Sequence, residues 1–463
     1  MLTVSEGGQT GRRREFLKIG GLSLGGLSLA DFFTNSVQAA GGQSLISGKS
    51  VVFVFMHGGP SQIETFDPKM SAPVGIASAT GEIATSIPGI TYGSTFPQLA
   101  KWADRTTIVR SFTSGDSRHD IKPIVGAATH GANLGSLFSR VAGQNHPKNG
   151  MPTNIALYPR AVDDSTMPAI KKFGDFESTG TLGGGYAPFV PSGGGEMRKN
   201  MELQLPLARL DDRRRLLANL DKIRRAVDVD NSLAGLDSLK QQAFDTILGG
   251  VSDAFDLSSE DPAVVARYDT APLVRPDAID KKWKNHERYA DNSKSLGKLM
   301  LLARRLCERG CGFVTVTTNF VWDMHGDQNN AGVSEGMDYM GRPFDHAISA
   351  FLEDVHARGL SDKILLVCTG EMGRTPRINN RGGRDHWGRL APLLLAGGGI
   401  APGQVIGQST RDASRPLTEP VTLKHLVATV LSKLIDVAEL RVQSGIPGDI
   451  IRSASANSIP GLS

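Results

Sequence analysis

The sequence predicts an α/β protein with a mostly parallel central sheet flanked by helices and a helical insertion. Three observations carry the prediction. The apolar runs at 50–55 and 364–368 are continuous rather than alternating, as in strands covered on both faces, and 312–318 reads as a further strand. Strand, helix and strand follow one another at the close spacing of right-handed parallel crossovers. Each run also ends in a polar segment, and parallel sheets bind ligands just past the carboxyl ends of their strands.

At 463 residues the chain has room for one large α/β domain with insertions, or for two domains. A hydrophobic content of 40% with 21% charged residues is that of a folded chain. The formal net charge of +4 is too small and too dispersed for a nucleic-acid partner, and no aromatic residues interleave with basic ones. Cys307, Cys311 and Cys368 are odd in number and fit neither a disulfide framework nor a Cys-based zinc site, so they read as structural thiols.

The elements follow in order. Residues 1–39 read as a twin-arginine export signal. Arg13-Arg14-Glu15-Phe16-Leu17-Lys18 carries the arginine pair, a glycine-diluted apolar stretch too short to span a bilayer follows, and Val37-Gln38-Ala39 offers a cleavage site. The expected partner is the twin-arginine translocase and the expected location periplasmic or extracellular. That route carries folded proteins, often already loaded with cofactor, and so hints at a metal. The leader holds four basic residues against three acidic, so its removal leaves +3. No other stretch is apolar enough to span a membrane.

The folded domain is expected over 48–450. Its first strand, 50–55, runs into Met56-His57-Gly58-Gly59-Pro60-Ser61, where glycines allow a sharp turn and His57 and Ser61 stand at the strand's carboxyl end. Asp67 follows shortly after. A second strand, 105–111, leads to Ser114-Gly115-Asp116-Ser117-Arg118-His119 and an expected helix through Ala128. Hydroxyls before a helix serve as N-caps or as an activated nucleophile beside an anion, which makes Ser114 and Ser117 the catalytic candidates. From 197 to about 280 the chain turns charged and helical without strand signals, as an insertion would, and its basic runs read as solvated helix faces.

An amphipathic helix over 293–309 stops at Gly310, and the strand 312–318 follows at once. Beyond it Asp323 and His325, two apart, point to one side of an extended segment as half of a metal site. Phe344, Ile348, Phe351 and Val355 mark the next helix, stopped by Gly359. Strands at 364–368 and 391–396 then bracket a loop that concentrates Glu371, Arg374, Arg377, Arg381, Arg384, Asp385 and His386. A carboxylate, guanidiniums and an Asp-His pair at a sheet edge point to an anionic, metal-bound substrate. The stretch 397–415 is turn-rich, a helix covers 422–434, and 451–463 reads as an irregular tail.

In sequence order, the twin-arginine leader, HGGPSQIETFDPK, VRSFTSGDSRHD, WDMHGDQNN, TGEMGRTPRINNRGGRDHW and LLLAGGG together resemble the exported domain of unknown function 1501 family. That family is similar to the alkaline-phosphatase-like superfamily, with its sulfatases and phosphomutases. The resemblance implies a three-layer sandwich, a divalent metal at the strand ends, and a Ser, Thr or modified Cys nucleophile at a helix start. Ser114 stands in the nucleophile's place; Asp323 and His325 resemble the paired ligands on a late loop, and His386 the final histidine ligand. Two departures stand out. His57, with Asp67 some distance on, replaces an aspartate after the first strand, and Glu371-Met372-Gly373 replaces Asp-His-Gly. A second metal is then either absent or held by Asp385 or His119.

Two functions fit. One is a metal-dependent hydrolase of phosphate or sulfate esters, with Arg374, Arg118 and Arg384 binding a small anionic ester. The other is a non-catalytic exported protein that binds an anion or a metal; a purely structural metal is a third reading. The metal is open among zinc, manganese, iron, calcium and magnesium. Substrate and oligomeric state are not specified by any motif.

Overall fold

The computed structural model describes residues 44–191 and 251–462. The leader and most of the expected insertion, 197–250, lie outside the described residues. Seven strands build the central sheet: β1 Ser50–Phe55, β2 Thr106–Val109, β3 Asn154–Leu157, β4 Phe313–Thr317, β5 Ile364–Thr369, β6 Leu393–Gly397 and β7 Gln404–Ile406. Their order is β7-β2-β6-β5-β1-β4-β3. β1 sits between β4 and β5 and is parallel to both, β3 is parallel to β4, and β7 to β2. This is a mixed α/β fold with a mostly parallel sheet.

Strand β1 shows why the layers form. All six residues are buried, and successive side chains point to opposite faces. Val52 and Val54 join the core with α2 (His286–Glu308) and α3 (Val333–Ala357). Val51, Phe53 and Phe55 join a second core with α1 (Leu134–Ala142) and α4 (Leu423–Leu434). Each such side chain contributes roughly 1.5–3 kcal/mol when buried, so a continuous apolar run needs helices on both sides. The three buried, free cysteines lie within these elements or at their ends, and burial pushes the Cys307 thiol up to about 12.

The structure departs from the expected elements in five places. β6 is antiparallel to both neighbours, so the loop from β5 to β6 leaves and re-enters the sheet at one edge. Strands β3 and β7 were not expected. They are four and three residues long, and β7 lies inside a Gly- and Pro-rich stretch. No α-helix follows Ser114. Residues 121–126 form turns around Pro123, which lacks an N–H, and the helix starts only at Leu134, capped by the Asn133 side chain. Helices α2 and α3 begin earlier than expected, at His286 rather than Ser293 and at Val333, about three turns before Phe344. Beyond α4 lie helices not expected from the sequence, Val437–Val442 and Gly448–Ala454, the second entering the tail expected to be irregular from 451, and they pack Leu440 and Ile450 into the second core.

Residues 251–280 approach α2 through short helices, Ser252–Phe255 and Pro262–Arg267. They are tied down by Arg304, whose guanidinium meets Glu260 at 2.8 Å, Asp354 at 2.8 Å and Glu308 at 2.6 Å. Burial opposes the charge on Glu260, but hydrogen bonds from Arg305 and Arg304 hold its pKa near about 2. Among the described residues no helix is long and apolar enough to cross a membrane.

Candidate metal centre

Three connections past the carboxyl ends of the strands converge on one point. The chain after β2 brings His119, the chain after β4 brings Asp323 and His325, and the loop after β5 brings His386. A donor atom from each of these four lies within 4.8 Å of the other three. The common partner is Asp323 Oδ1, with His325 Nε2 at 3.0 Å and His119 Nε2 and His386 Nε2 each at 3.4 Å. His325 Nε2 and His386 Nε2 are themselves 2.8 Å apart. Donor atoms packed this closely suit a set that shares one cation.

Carboxylates orient two of the three imidazoles. His119 Nδ1 is 2.9 Å from Glu371 Oε1, and His325 Nδ1 is 3.2 Å from Asp385 Oδ1. With Nδ1–H donated to a carboxylate, Nε2 faces the cluster and, once free of a proton, offers its lone pair there, as in metal sites where an outer carboxylate sets the histidine tautomer. Glu371 is fully buried and fixed in turn by the Gly58 N–H, at 3.0 and 3.2 Å. Asp385 also accepts from Asn379 Nδ2 at 3.1 Å. Asp323 Oδ2 is held by Asn330 Nδ2 at 3.1 Å, a contact supplied by the same WDMHGDQNN motif.

The histidine-glycine turn after β1 is a wall of this site. Gly58 has φ +116°, and a Cβ on it would lie 2.6 Å from the Asp323 nitrogen, so only glycine lets the two loops touch. Arg374 closes the floor with its side chain about 1% exposed. It reaches Asp323 Oδ1 at 2.5 Å and the carbonyl oxygen of Gly59 at 2.7 Å, and it also bonds the Gly58 carbonyl. A two-residue antiparallel pairing, Gly373–Arg374 with His386–Trp387, places His386 opposite Arg374.

These contacts set the protonation of the centre. Burial would raise the Asp323 carboxyl, but Arg374 and hydrogen bonds from the three histidines hold it well below the usual carboxylate range. His119 is moved up, because hydrogen bonds to Asp323 and Glu371 outweigh its burial. His386 is moved down by burial, aided by the Arg374 and His119 charges.

The other expected site residues are placed elsewhere. His57 is buried, with Phe55, Phe173, Phe176 and Phe320 around its ring, and burial pushes it down to about 4. It lies outside the four-residue cluster. Asp67 pairs with Lys69 at 3.2 Å and Arg110 at 3.5 Å, and also bonds Ser409, which makes it a structural carboxylate. Glu371 and Asp385 stand behind histidines rather than within the cluster. Ser114 is buried and donates to the Asp116 and Gly388 carbonyls at 3.1 and 3.4 Å; Ser117 is exposed. Neither begins a helix, so the arrangement expected of a serine nucleophile is not formed.

The arginines divide as well. Arg384 is fully buried against Glu64 at 2.7 Å, and its remaining N–H groups bond the carbonyls of Thr375, Pro376, Ile76 and Ala77. It has no donor left for a substrate. Arg118 is exposed and paired with Asp116 at 3.0 Å. Two aromatic neighbours went unread in the sequence: Phe320 lies 4.7 Å from the His119 ring and stacks on Phe173 at 4.3 Å. Phe320 stands between the β4 and Asp323 motifs, but Phe173 sits in an unremarkable loop and gave no signal.

A family model described as "Protein of unknown function (DUF1501)" matches residues 48–444. No curated protein matches the sequence. Among solved structures, the chain is similar to the phosphonate monoester hydrolase from Silicibacter pomeroyi, at 12% identity over 83% of this chain and 73% of that one, with a TM-score of 0.29. It is similar to the PsFucS1 sulfatase from Pseudoalteromonas sp. at 12% identity, over 83% and 67% of the two chains, TM-score 0.33. The lipoteichoic acid synthase LtaP from Listeria monocytogenes matches at 7% identity over 90% and 79%, TM-score 0.31.

Proposed function

The chain belongs to the DUF1501 family, and from that premise we propose that its carboxyl-edge centre holds a divalent metal and hydrolyses phosphate or sulfate esters. One observation carries the reading: three imidazoles and a carboxylate converge within 4.8 Å, at the edge of the sheet where α/β folds bind ligands. His119, Asp323, His325 and His386 would hold the ion. Three nitrogens and one oxygen favour zinc, manganese or iron over the oxygen-seeking calcium and magnesium. When bound, such a metal polarises an ester oxygen and acidifies water.

The chain's own groups have separable tasks. Glu371 and Asp385 keep two histidines in the ligating tautomer, and Arg374 keeps Asp323 ionised. Arg118 is the expected anion-binding arginine that stays exposed at the rim, where it can meet a small anionic ester. We assign the attack to water, because the Ser114 hydroxyl is spent on backbone carbonyls. Export by the twin-arginine translocase to the periplasm or beyond is part of the same reading, on the strength of Arg13 and Arg14.

A second reading, a non-catalytic binding protein on this fold, is favoured by the internal engagement of Arg374 and Arg384, which leaves neither of these two arginines free to clamp an ester. Metal analysis followed by assays on aryl phosphates, phosphodiesters and aryl sulfates separates the two. Wild type is expected to carry metal and turn over one of these classes, Ser114→Ala to keep that turnover, and His325→Ala to lose both metal and turnover. Metal-loaded wild type that turns over none of them would establish the binding reading.

A further inference from the structure

The first turns of α2 lie over the Asp323 loop and carry an arginine with no bonded partner among the described residues. Arg288 is half-buried, and its Nη1 is buried without a hydrogen bond. Glu287 and Asp291 lie close enough to act on it through charge, but the Asp291 Oδ2 is taken by the Met167 N–H at 2.7 Å. One turn further along the same helix face, Asn292 is 1% exposed, and both Nδ2 and Oδ1 lack partners among the described residues. Beyond the end of β4, Thr318 Oγ1 and Asn319 Oδ1 are also buried and without a partner among the described residues.

Two contacts join the segments that carry these groups. The Met167 backbone bonds both sides, accepting from Asn319 Nδ2 at 3.4 Å while donating to Asp291. Tyr289 Oη accepts the Ala331 N–H at 3.1 Å, which fastens the helix start to the loop of Asp323. Next to Asn319, the Phe320 ring lies 4.7 Å from that of the metal-site residue His119. Asn319 and Phe320 both have positive φ, 53° and 60°, a conformation that side-chain-bearing residues rarely adopt and that recurs at ligand sites. Buried polar groups are almost always hydrogen-bonded, so several orphans in one place, with a cation among them, call for an occupant.

We propose that Arg288, Asn292, Thr318 and Asn319 form an anion subsite beside the metal centre that takes a protonated phosphate group. Arg288 Nη1, Asn292 Nδ2 and the Thr318 hydroxyl supply donors to oxyanion oxygens. Asn292 Oδ1 and Asn319 Oδ1 accept only; the single P–OH of hydrogen phosphate satisfies one of them and the two P–OH groups of dihydrogen phosphate satisfy both, and sulfate has no such proton to give. The subsite does not depend on the hydrolase reading, because none of its groups belongs to the metal cluster.

The test is calorimetric titration of the full chain with inorganic phosphate and with sulfate, in chelator-treated and in metal-loaded protein. Phosphate is expected to bind more tightly than sulfate in wild type. Arg288→Met is expected to weaken phosphate about tenfold or more in either form, the loss of a charge-assisted contact, with metal content unchanged. Because Arg288 makes no side-chain hydrogen bond among the described residues, the variant should melt no lower than wild type in phosphate-free buffer. Thr318→Val should likewise weaken phosphate without lowering the melting temperature. Phosphate binding that is unchanged in Arg288→Met, or absent in wild type, overturns the subsite. Equal affinity for sulfate overturns its assignment to a protonated phosphate. A lower melting temperature for Arg288→Met in phosphate-free buffer makes the arginine structural and overturns the subsite too.

Discussion

Replacing Glu371 by Gln tests whether a second layer of carboxylates sets up the metal centre. The side chain keeps its volume in a fully buried place, so packing is preserved. Its chemistry changes in one respect. Glu371 accepts at both oxygens, from Gly58 N–H and from His119 Nδ1–H. A glutamine can keep an acceptor at the Oε1 place, which both Gly58 N–H and His119 Nδ1 face, but it is neutral and sets an NH2 beside the Gly58 N–H. His119 then loses the carboxylate charge that favours its Nδ1–H form and strengthens Nε2, the nitrogen 3.4 Å from Asp323, as a metal ligand. Loss of such an outer partner typically costs about 10–100-fold in metal affinity, or roughly 1.4–2.7 kcal/mol. The expected outcome is therefore a weaker zinc dissociation constant by one to two decades, read by competition with a chromogenic chelator. Far-UV circular dichroism should stay that of wild type. Zinc affinity within twofold of wild type in a folded Glu371→Gln variant would refute the reasoning that Glu371 acts through His119.

Three further outcomes are expected. Gly58→Ala must move either the turn or the Asp323 backbone, given φ +116° and a 2.6 Å approach, so it should lower the melting temperature and bound metal together; a variant with full metal content counts against the wall assigned to Gly58. Metal affinity should rise with pH through a range above the ordinary histidine value, because His119 is held protonated more firmly than usual and must lose that proton to ligate. In the metal-free protein the same raised pKa gives stability that is full below the ordinary value and lost as pH rises through the raised one, so metal titrations near neutral pH should release protons in calorimetry, and no proton release would contradict it. Replacing Arg13 and Arg14 by lysines should leave the precursor in the cytoplasm, and periplasmic material from that variant in cell fractionation would remove the export reading.

The parts of this molecule legible in the sequence are those where one kind of residue repeats. β1 and β5 were found as continuous apolar runs, since strands buried on both faces cannot afford polar positions. Asp323, His325 and His386 were found because polar residues after such runs have only the sheet's edge to occupy. His119 was named, though only through a resemblance, and its spacing alone gave no reason to place it within reach of Asp323. What escaped depends on contacts between distant segments. The reversed direction of β6 is invisible in its composition, because LLLAG packs equally well in either sense. Arg384 looked like a substrate arginine until Glu64, 320 positions away in sequence, proved to be its partner. Ser114 preceded a plausible helix, and Pro123 and the glycines around it turned that stretch into loops.

The reversed β6 also bears on how this edge could change over time. A connection between parallel neighbours must travel the length of the sheet and back, so its size is tied to the dimensions of the fold. The segment between β5 and β6 only goes out and returns beside itself. Its closure cost grows logarithmically, by about 0.6 kcal/mol for each doubling of length, provided the added residues are flexible. Insertions at the exposed tip, Asn380 and Arg381, between the strand pair that fixes Arg374 and His386, would therefore leave both positions anchored while extending the rim over the opening. Variation in ligand preference among chains of this architecture should concentrate in that excursion, with the histidine and aspartate positions unmoved.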